Sequence, residues 1–218
     1  MKYIIMCGGH YKEWQEPRQL CKIHGEEIVA RTIRLLRENG VEDIAISSDN
    51  PVFEKFGVPV LVHNNGYYAR AQNDVDGFWC EAFYPTDEPA CYLFGDVVFS
   101  PAAIKKIVET ETKDIDFFGS APPFAPEYIK RWVEPFAFKV QDTVHFHKAI
   151  RDMKELADTC WRSPIAWDLW YVISGVRIDI DDYQKNYIVI NDYTCDIDHR
   201  SDIPKLEARV TDGCSLHT

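Results

Sequence analysis

Up to about residue 120 the chain repeats one pattern, a short apolar run followed by a segment whose apolar residues fall three and four apart. That alternation restricts the fold more than any other feature. Lys2 to Met6 reads as a buried strand. Ile28 to Asn39 reads as a helix with Ile28, Val29, Ile33, Leu35 and Leu36 on one side, and Asn39-Gly40 is its stop. Further strands are expected at Asp43 to Ser47, Pro59 to Val62 and Cys91 to Phe94. Asp74 can cap a helix running through Phe78 to Phe83, and Ser100-Pro101 opens another with Ile104, Ile107 and Val108 as its buried stripe. Strands alternating with helices build an open, mostly parallel sheet covered on both faces, an α/β fold of three layers, α/β/α. Ligands of such sheets sit beyond the carboxyl ends of the strands. Chemistry is therefore expected in Cys7 to Leu20 and in Gly95 to Ser100.

Beyond residue 121 the chain becomes richer in aromatic residues. Phe136 to Val140 and Thr143 to Phe146 resemble a hairpin, Lys148 to Ala157 a helix, and this half reads as an insertion lining a pocket. No repeat, low-complexity stretch or Gly/Ser linker interrupts the 218 residues, which gives one domain. The 35 acidic against 24 basic residues leave a formal charge of -11, which repels polyanions and argues against a nucleic-acid partner. An anionic ligand would need a local site or a metal ion. No apolar run approaches the ~20 residues of a membrane-spanning helix, and Tyr3 to Met6 is too short for a signal core. The seven cysteines are odd in number, scattered, and form no C-x-x-C pair, as expected of reduced thiols in a cytoplasmic protein.

Three stretches carry candidate chemistry. Cys7-Gly8-Gly9-His10-Tyr11-Lys12 follows the first strand. Two adjacent glycines let backbone N–H groups turn toward an anion, although a Gly-Gly pair is also an ordinary turn. The run lacks the Gly-Lys-Ser/Thr of a P-loop and the spacing of G-x-G-x-x-G. Tyr92-Leu93-Phe94-Gly95-Asp96 puts a carboxylate at a strand tip, where it could hold Mg²⁺ against phosphate, or simply form a turn. In Cys195-Asp196-Ile197-Asp198, the two acids point the same way if the segment is extended, and a carboxylate pair needs a cation or a shared proton. A solvated acidic loop capped by Ser201 is the bland alternative, and the fixed Gly and terminal Glu of an EF-hand are missing.

With Pro17-Arg18-Gln19-Leu20 and the run from Gly25 to Ile33, the chain resembles the nucleotidyltransferases of glycosyltransferase-A-like fold. These enzymes join a nucleoside triphosphate to a sugar phosphate, phosphocholine or a similar acceptor. Gly8, Gly9, Pro17, Leu20, Gly25 and Ile28 fall on the family's glycine loop, Pro-Lys-x-Leu and following helix, and Leu35 to Ile44 continues the match. Asp96 through Ser100-Pro101 fits its Gly-Asp strand tip and capped helix. Asp196, Ile197, Asp198, Asp202, Leu206 and Glu207 fit its closing Asp-Ile-Asp and helix. The glycine loop is shorter than the family's, and Arg18 stands where the family has lysine. Arginine keeps the charge and can grip phosphate bidentately, but it is not a like-for-like point charge.

The resemblance implies a Rossmann-like nucleotidyltransferase domain. Residues 1–120 would form its nucleotide part, 121–184 an acceptor-side insertion, and 185–218 the closing strand and helix. It implies nucleotide contacts at Cys7, Gly8, Gly9, His10, Arg18, Tyr68, Asn73 and Asp96, with catalytic roles for Arg18, Asp96 and Asp198. It also implies Mg²⁺ at Asp96 and Asp198 with Asp196 beside them, a nucleoside triphosphate and a phosphorylated small-molecule acceptor as partners, and a homodimer. Lys12 and Lys22 are either helpers or solvated cations, and the loop Tyr67 to Asp74 either meets the nucleotide or is plain surface. Trp161, Trp167 and Trp170 with Asp168 either wall an acceptor pocket suited to a quaternary ammonium group or belong to the core. His145 and His147, on one face of the expected strand, lack a third ligand and read as structural. Three other functions remain open: a phosphocholine-type cytidylyltransferase, a metal-dependent glycosyltransferase using a nucleotide sugar, and a non-catalytic nucleotide-binding module.

Overall fold

The computed structural model describes residues 1–8, 14–62, 86–120, 134–160, 166–175 and 186–210, the side chains of residues 154, 156–160 and 167 excepted. In chain order the elements begin with β1 (Lys2–Met6), β2 (Lys22–Ile23), β3 (Glu26–Glu27), α1 (Ile28–Glu38), β4 (Ile44–Ser47) and β5 (Val60–Leu61). They continue with β6 (Ala90–Phe94), β7 (Val97–Val98), α2 (Pro101–Glu109), β8 (Ile115–Gly119), β9 (Pro135–Val140) and α3 (Thr143–Cys160). The last are α4 (Ala166–Ser174), β10 (Tyr187–Val189), β11 (Cys195–Asp196) and α5 (Asp202–Glu207).

Seven strands form one sheet in the order β10-β8-β9-β6-β1-β4-β5. Every pairing is parallel except those of β9, which runs antiparallel to both β6 and β8. The mostly parallel α/β sheet expected from the sequence is therefore present. A strand from beyond residue 121, β9, lies in its interior between β8 and β6, so both halves of the chain share one sheet.

Period-two alternation distributes side chains to the two faces. Tyr3 and Ile5 of β1 join Cys91 and Leu93 of β6 under Val29, Ile33 and Leu36 of α1 and Ala103, Ile104 and Ile107 of α2. Ile4, Met6, Ala90 and Tyr92 face the other way, against Phe146, Ala149 and Met153 of α3 and Leu169, Trp170 and Ile173 of α4. Three layers result, each helix contributing its apolar stripe. A third, smaller cluster joins Trp14, Ile23, Ile28 and Val98 to Cys195, Ile197, Leu206 and Val210. It lies under the candidate site.

Local signals mostly act as expected. Asn39 ends α1 and Gly40 follows at φ 78°, a conformation that glycine adopts without the penalty of a Cβ. Ser100 caps α2, accepting the Ala103 N–H at 2.9 Å with Pro101 in the first turn. The expected strand Thr143 to Phe146 is instead the first turn of α3. The carboxylate of Asp142 accepts the His145 N–H at 2.8 Å, and its carbonyl accepts that of Phe146, which starts a helix where alternation alone suggested a hairpin. His145 and His147 accordingly lie on a helix: His145 Nδ1 meets Asp114 at 2.8 Å, and His147 Nε2 meets the Thr86 carbonyl at 3.1 Å. No helix among the described residues is long and apolar enough to cross a membrane.

Candidate functional site

The site forms where β1 and β6 end. Gly95 follows β6, and a Cβ on it would lie 2.5 Å from the Met6 carbonyl oxygen and 2.7 Å from Cys7 Sγ. Only glycine allows so close an approach, and it delivers Asp96 to the carboxyl edge of the sheet. The chain continues into β7, which pairs antiparallel with β11, Asp196 opposite Val97 and Cys195 opposite Val98. Ile197 N–H then donates to the Asp96 carbonyl at 3.0 Å, which sets Asp96 beside the Asp196-Ile197-Asp198 run.

This pairing is braced from behind. Ser100 N–H donates to Thr194 Oγ1 at 3.0 Å, Ser100 Oγ donates to Asp192 at 2.5 Å, and Asp192 also accepts the Thr194 N–H at 2.8 Å. Buried Arg31 on α1 donates to the Phe99 carbonyl and, at 2.8 Å, to the Tyr193 hydroxyl. These bonds fix the register that brings residues 192–198 against residues 96–100.

Arg18 enters from a short 3₁₀ turn, Arg18–Leu20, begun by Pro17. Its side chain is 8% exposed and lies between two carboxylates, pairing with Asp96 through one terminal nitrogen and with Asp198 Oδ1 through the other, at 2.9 Å. Carboxylate oxygens of Asp196, Asp198 and Glu134 lie within 4.8 Å of one another. Four acids and one guanidinium thus lie close together, an arrangement with excess formal negative charge.

Several residues expected at the site converge here: Arg18, Asp96, Asp196 and Asp198 do so directly. Cys7 is 2% exposed; its N–H donates to the Ser47 carbonyl at 2.8 Å, and its carbonyl accepts from Ser48 Oγ at 3.0 Å, so it anchors the end of β1. Burial, and secondarily the Asp96 charge, push its thiol well above the ordinary value, which keeps it protonated and non-nucleophilic. Gly8 follows at the sheet edge, and Lys22 sits exposed on β2. Gly9, His10, Lys12, Tyr68, Asn73 and Trp161 lie outside the described residues, as do the Asp74 helix and the Trp167 side chain. Trp170 is fully buried against Phe117 and Tyr187, and Asp168 is buried too, so these two belong to the core.

Glu134 was not among the residues singled out from the sequence. It precedes β9, where its N–H donates to Ser120 Oγ at 2.9 Å and its carbonyl accepts the Ser120 N–H. A lone Glu before Pro135 gives no periodic or spacing signal. It reaches the site only because β9 is threaded between β6 and β8.

No family model matches the chain, and no curated protein sequence matches it significantly. Solved structures do. The inositol-1-phosphate CTP transferase of T. maritima superposes with a TM-score of 0.57 at 17% identity, covering 97% of this chain and 96% of its own. HddC from Yersinia pseudotuberculosis, in complex with GMP-PN, gives 0.52 at 14% identity, covering 95% and 98%. A putative glucose-1-phosphate thymidylyltransferase from Bacillus anthracis, in complex with a sucrose, gives 0.54 at 17% identity, covering 97% and 95%. Coverage is nearly complete on both sides in each comparison, so the likeness concerns the whole architecture, and the chain has a sugar-phosphate nucleotidyltransferase-like fold.

Proposed function

We propose that this protein is a Mg²⁺-dependent nucleotidylyltransferase, which transfers a nucleoside monophosphate from a nucleoside triphosphate to a phosphorylated small molecule, a sugar phosphate in the first instance. The observation that carries this reading is the gathering of Asp96, Asp196, Asp198 and Glu134 around Arg18 at the carboxyl edge of the sheet. The fold supports it, because the similar structures include enzymes named for CTP transfer to inositol-1-phosphate and thymidylyl transfer to glucose-1-phosphate.

The donor set suits a hard divalent cation. Every candidate ligand is a carboxylate oxygen, with no thiolate or imidazole among the three that cluster, as Mg²⁺ prefers. Asp96 and Asp198 would hold it, with Asp196 and Glu134 alongside. Bound there, Mg²⁺ would offset the charge of the phosphate oxygens. The chain's own residues supply the rest. Arg18 neutralises part of the acidic cluster in the absence of ligand, and its planar fork can exchange carboxylate for phosphate oxygens of similar geometry. Gly8 and Gly9 would offer backbone N–H groups to the triphosphate, and the β7–β11 pairing holds Asp196 opposite Val97. Substrate anions would be kept in line for attack of the acceptor phosphate on the α-phosphorus, with pyrophosphate as leaving group. A covalent enzyme intermediate is not needed.

The test is pyrophosphate release from CTP, UTP, GTP, ATP and dTTP with a panel of sugar phosphates in Mg²⁺. Turnover is expected with one base, falling at least about 100-fold in Asp96→Asn, whose fold should persist. Arg18→Ala should weaken triphosphate binding about tenfold or more. Turnover by Asp96→Asn near that of the parent would remove Asp96 from the reaction, and no pyrophosphate from any pair would sink the transferase reading.

A further inference from the structure

Asp198 is held by more than its ion pair with Arg18. The indole N–H of Trp14 donates to the Asp198 carbonyl at 3.2 Å. From the other side, Asp202 Oδ2 accepts the Asp198 N–H at 3.3 Å and the His199 N–H at 2.9 Å. Both peptide groups of Asp198 are thereby tied to side chains from separate segments, one near the start of the chain and one in the first turn of α5. Trp14 is 4% exposed and Asp202 3%. Trp14 packs in the small cluster with Ile23, Val98, Ile197 and Leu206, and the Arg200 guanidinium lies 4.7 Å above its ring centre.

The burial of Trp14 explains why the bond is directed. A buried indole N–H must find an acceptor, and this one uses the main chain of an acid that itself faces Arg18, Asp196 and Glu134. Fixing the N–H and C=O on either side of Cα fixes the Cα–Cβ direction, leaving the carboxylate only its side-chain rotations. Groups that orient a metal ligand in this way commonly change affinity by about 10- to 100-fold. We infer that Trp14 and Asp202 are positioning residues that clamp the main chain of Asp198 and so set the divalent-cation affinity of the site. The inference rests on the metal role proposed for Asp198.

The test is Mn²⁺ binding followed by electron paramagnetic resonance, beside thermal unfolding of each variant. Trp14→Phe keeps a ring for the cluster and for Arg200 but removes the N–H. Its Mn²⁺ dissociation constant is expected to rise about tenfold or more while the protein stays folded. Asp202→Leu should act in the same direction, and Asp202→Asn, which keeps an acceptor oxygen, should recover most of the affinity. Ile23→Val thins the same cluster without touching Asp198 and should bind Mn²⁺ like the parent. Unchanged affinity in Trp14→Phe overturns the clamp, as does an equal loss in Ile23→Val, which would make the effect one of packing alone. A parent protein that binds no Mn²⁺ overturns the metal reading itself, and this outcome is separable because it appears before any substitution.

Discussion

Gly95 places the strongest single-residue demand on the site. A methyl group there would meet the Met6 carbonyl and Cys7 Sγ inside contact distance, and backbone at the end of β1 has nowhere to retreat. Gly95→Ala is therefore expected to cost about 1–3 kcal/mol in urea unfolding and to lower turnover by displacing Asp96. A variant as stable and active as the parent would show that the two strand tips can part freely. The Gly-Asp pair was legible in the sequence because a strand tip is a local feature. So was the Asp196–Asp198 pair, since alternation along an extended chain follows from covalent geometry. Glu134 was not legible, because its place depends on which strands neighbour β9. The position of Arg18 against carboxylates was equally hidden, its partner Asp198 being 180 residues away.

Among elements, α2 is tied at both ends. At its start Ser100 Oγ accepts from Ala103 and donates to Asp192; at its finish buried Lys139 Nζ donates to the carbonyls of Ile107, Val108 and Thr110 at 2.9, 3.0 and 2.6 Å. Ser100→Ala should lose the cap, about 1 kcal/mol, and leave Asp192 short of a donor, for a total of about 2–3 kcal/mol by denaturant unfolding. A loss under about 0.5 kcal/mol would mean that water replaces the hydroxyl at little cost. Helices with an apolar stripe and either a stop, as in α1, or a capping start, as in α2, were readable in advance. The start of α3 was misread because Thr143 to Phe146 is too short for its period to be judged, and Asp142 as a cap outweighs it. Strand order lay beyond reach, since antiparallel β9 inserts between two strands that precede it in the chain.

At the scale of the molecule, β1, the residue after it and β6 carry four buried acids of high pKa: Tyr3, Cys7, Cys91 and Tyr92. Burial is the main cause in each, and it pushes Cys91 from the ordinary 9.0 up to about 12. The unfolded chain gives up these protons near the ordinary values while the folded one keeps them, so the unfolded state binds fewer protons and stability falls as pH rises. Their contribution is intact below pH about 9 and is lost progressively toward about 12, so Tm should drop with growing steepness between pH about 9 and about 10.5. A Tm that holds level across that span would contradict the burial of these groups. The small cluster under the site has a consequence in time as well. It joins residues 14–28 to residues 195–210, so a chain emerging from the ribosome has made Arg18 and Asp96 long before Asp198 can meet them. Until then Arg18 lacks its second partner, Asp198, and the acidic cluster is incomplete. Only a chain complete through α5 can close this cluster, so under the proposed function any shorter product of interrupted synthesis would be inert.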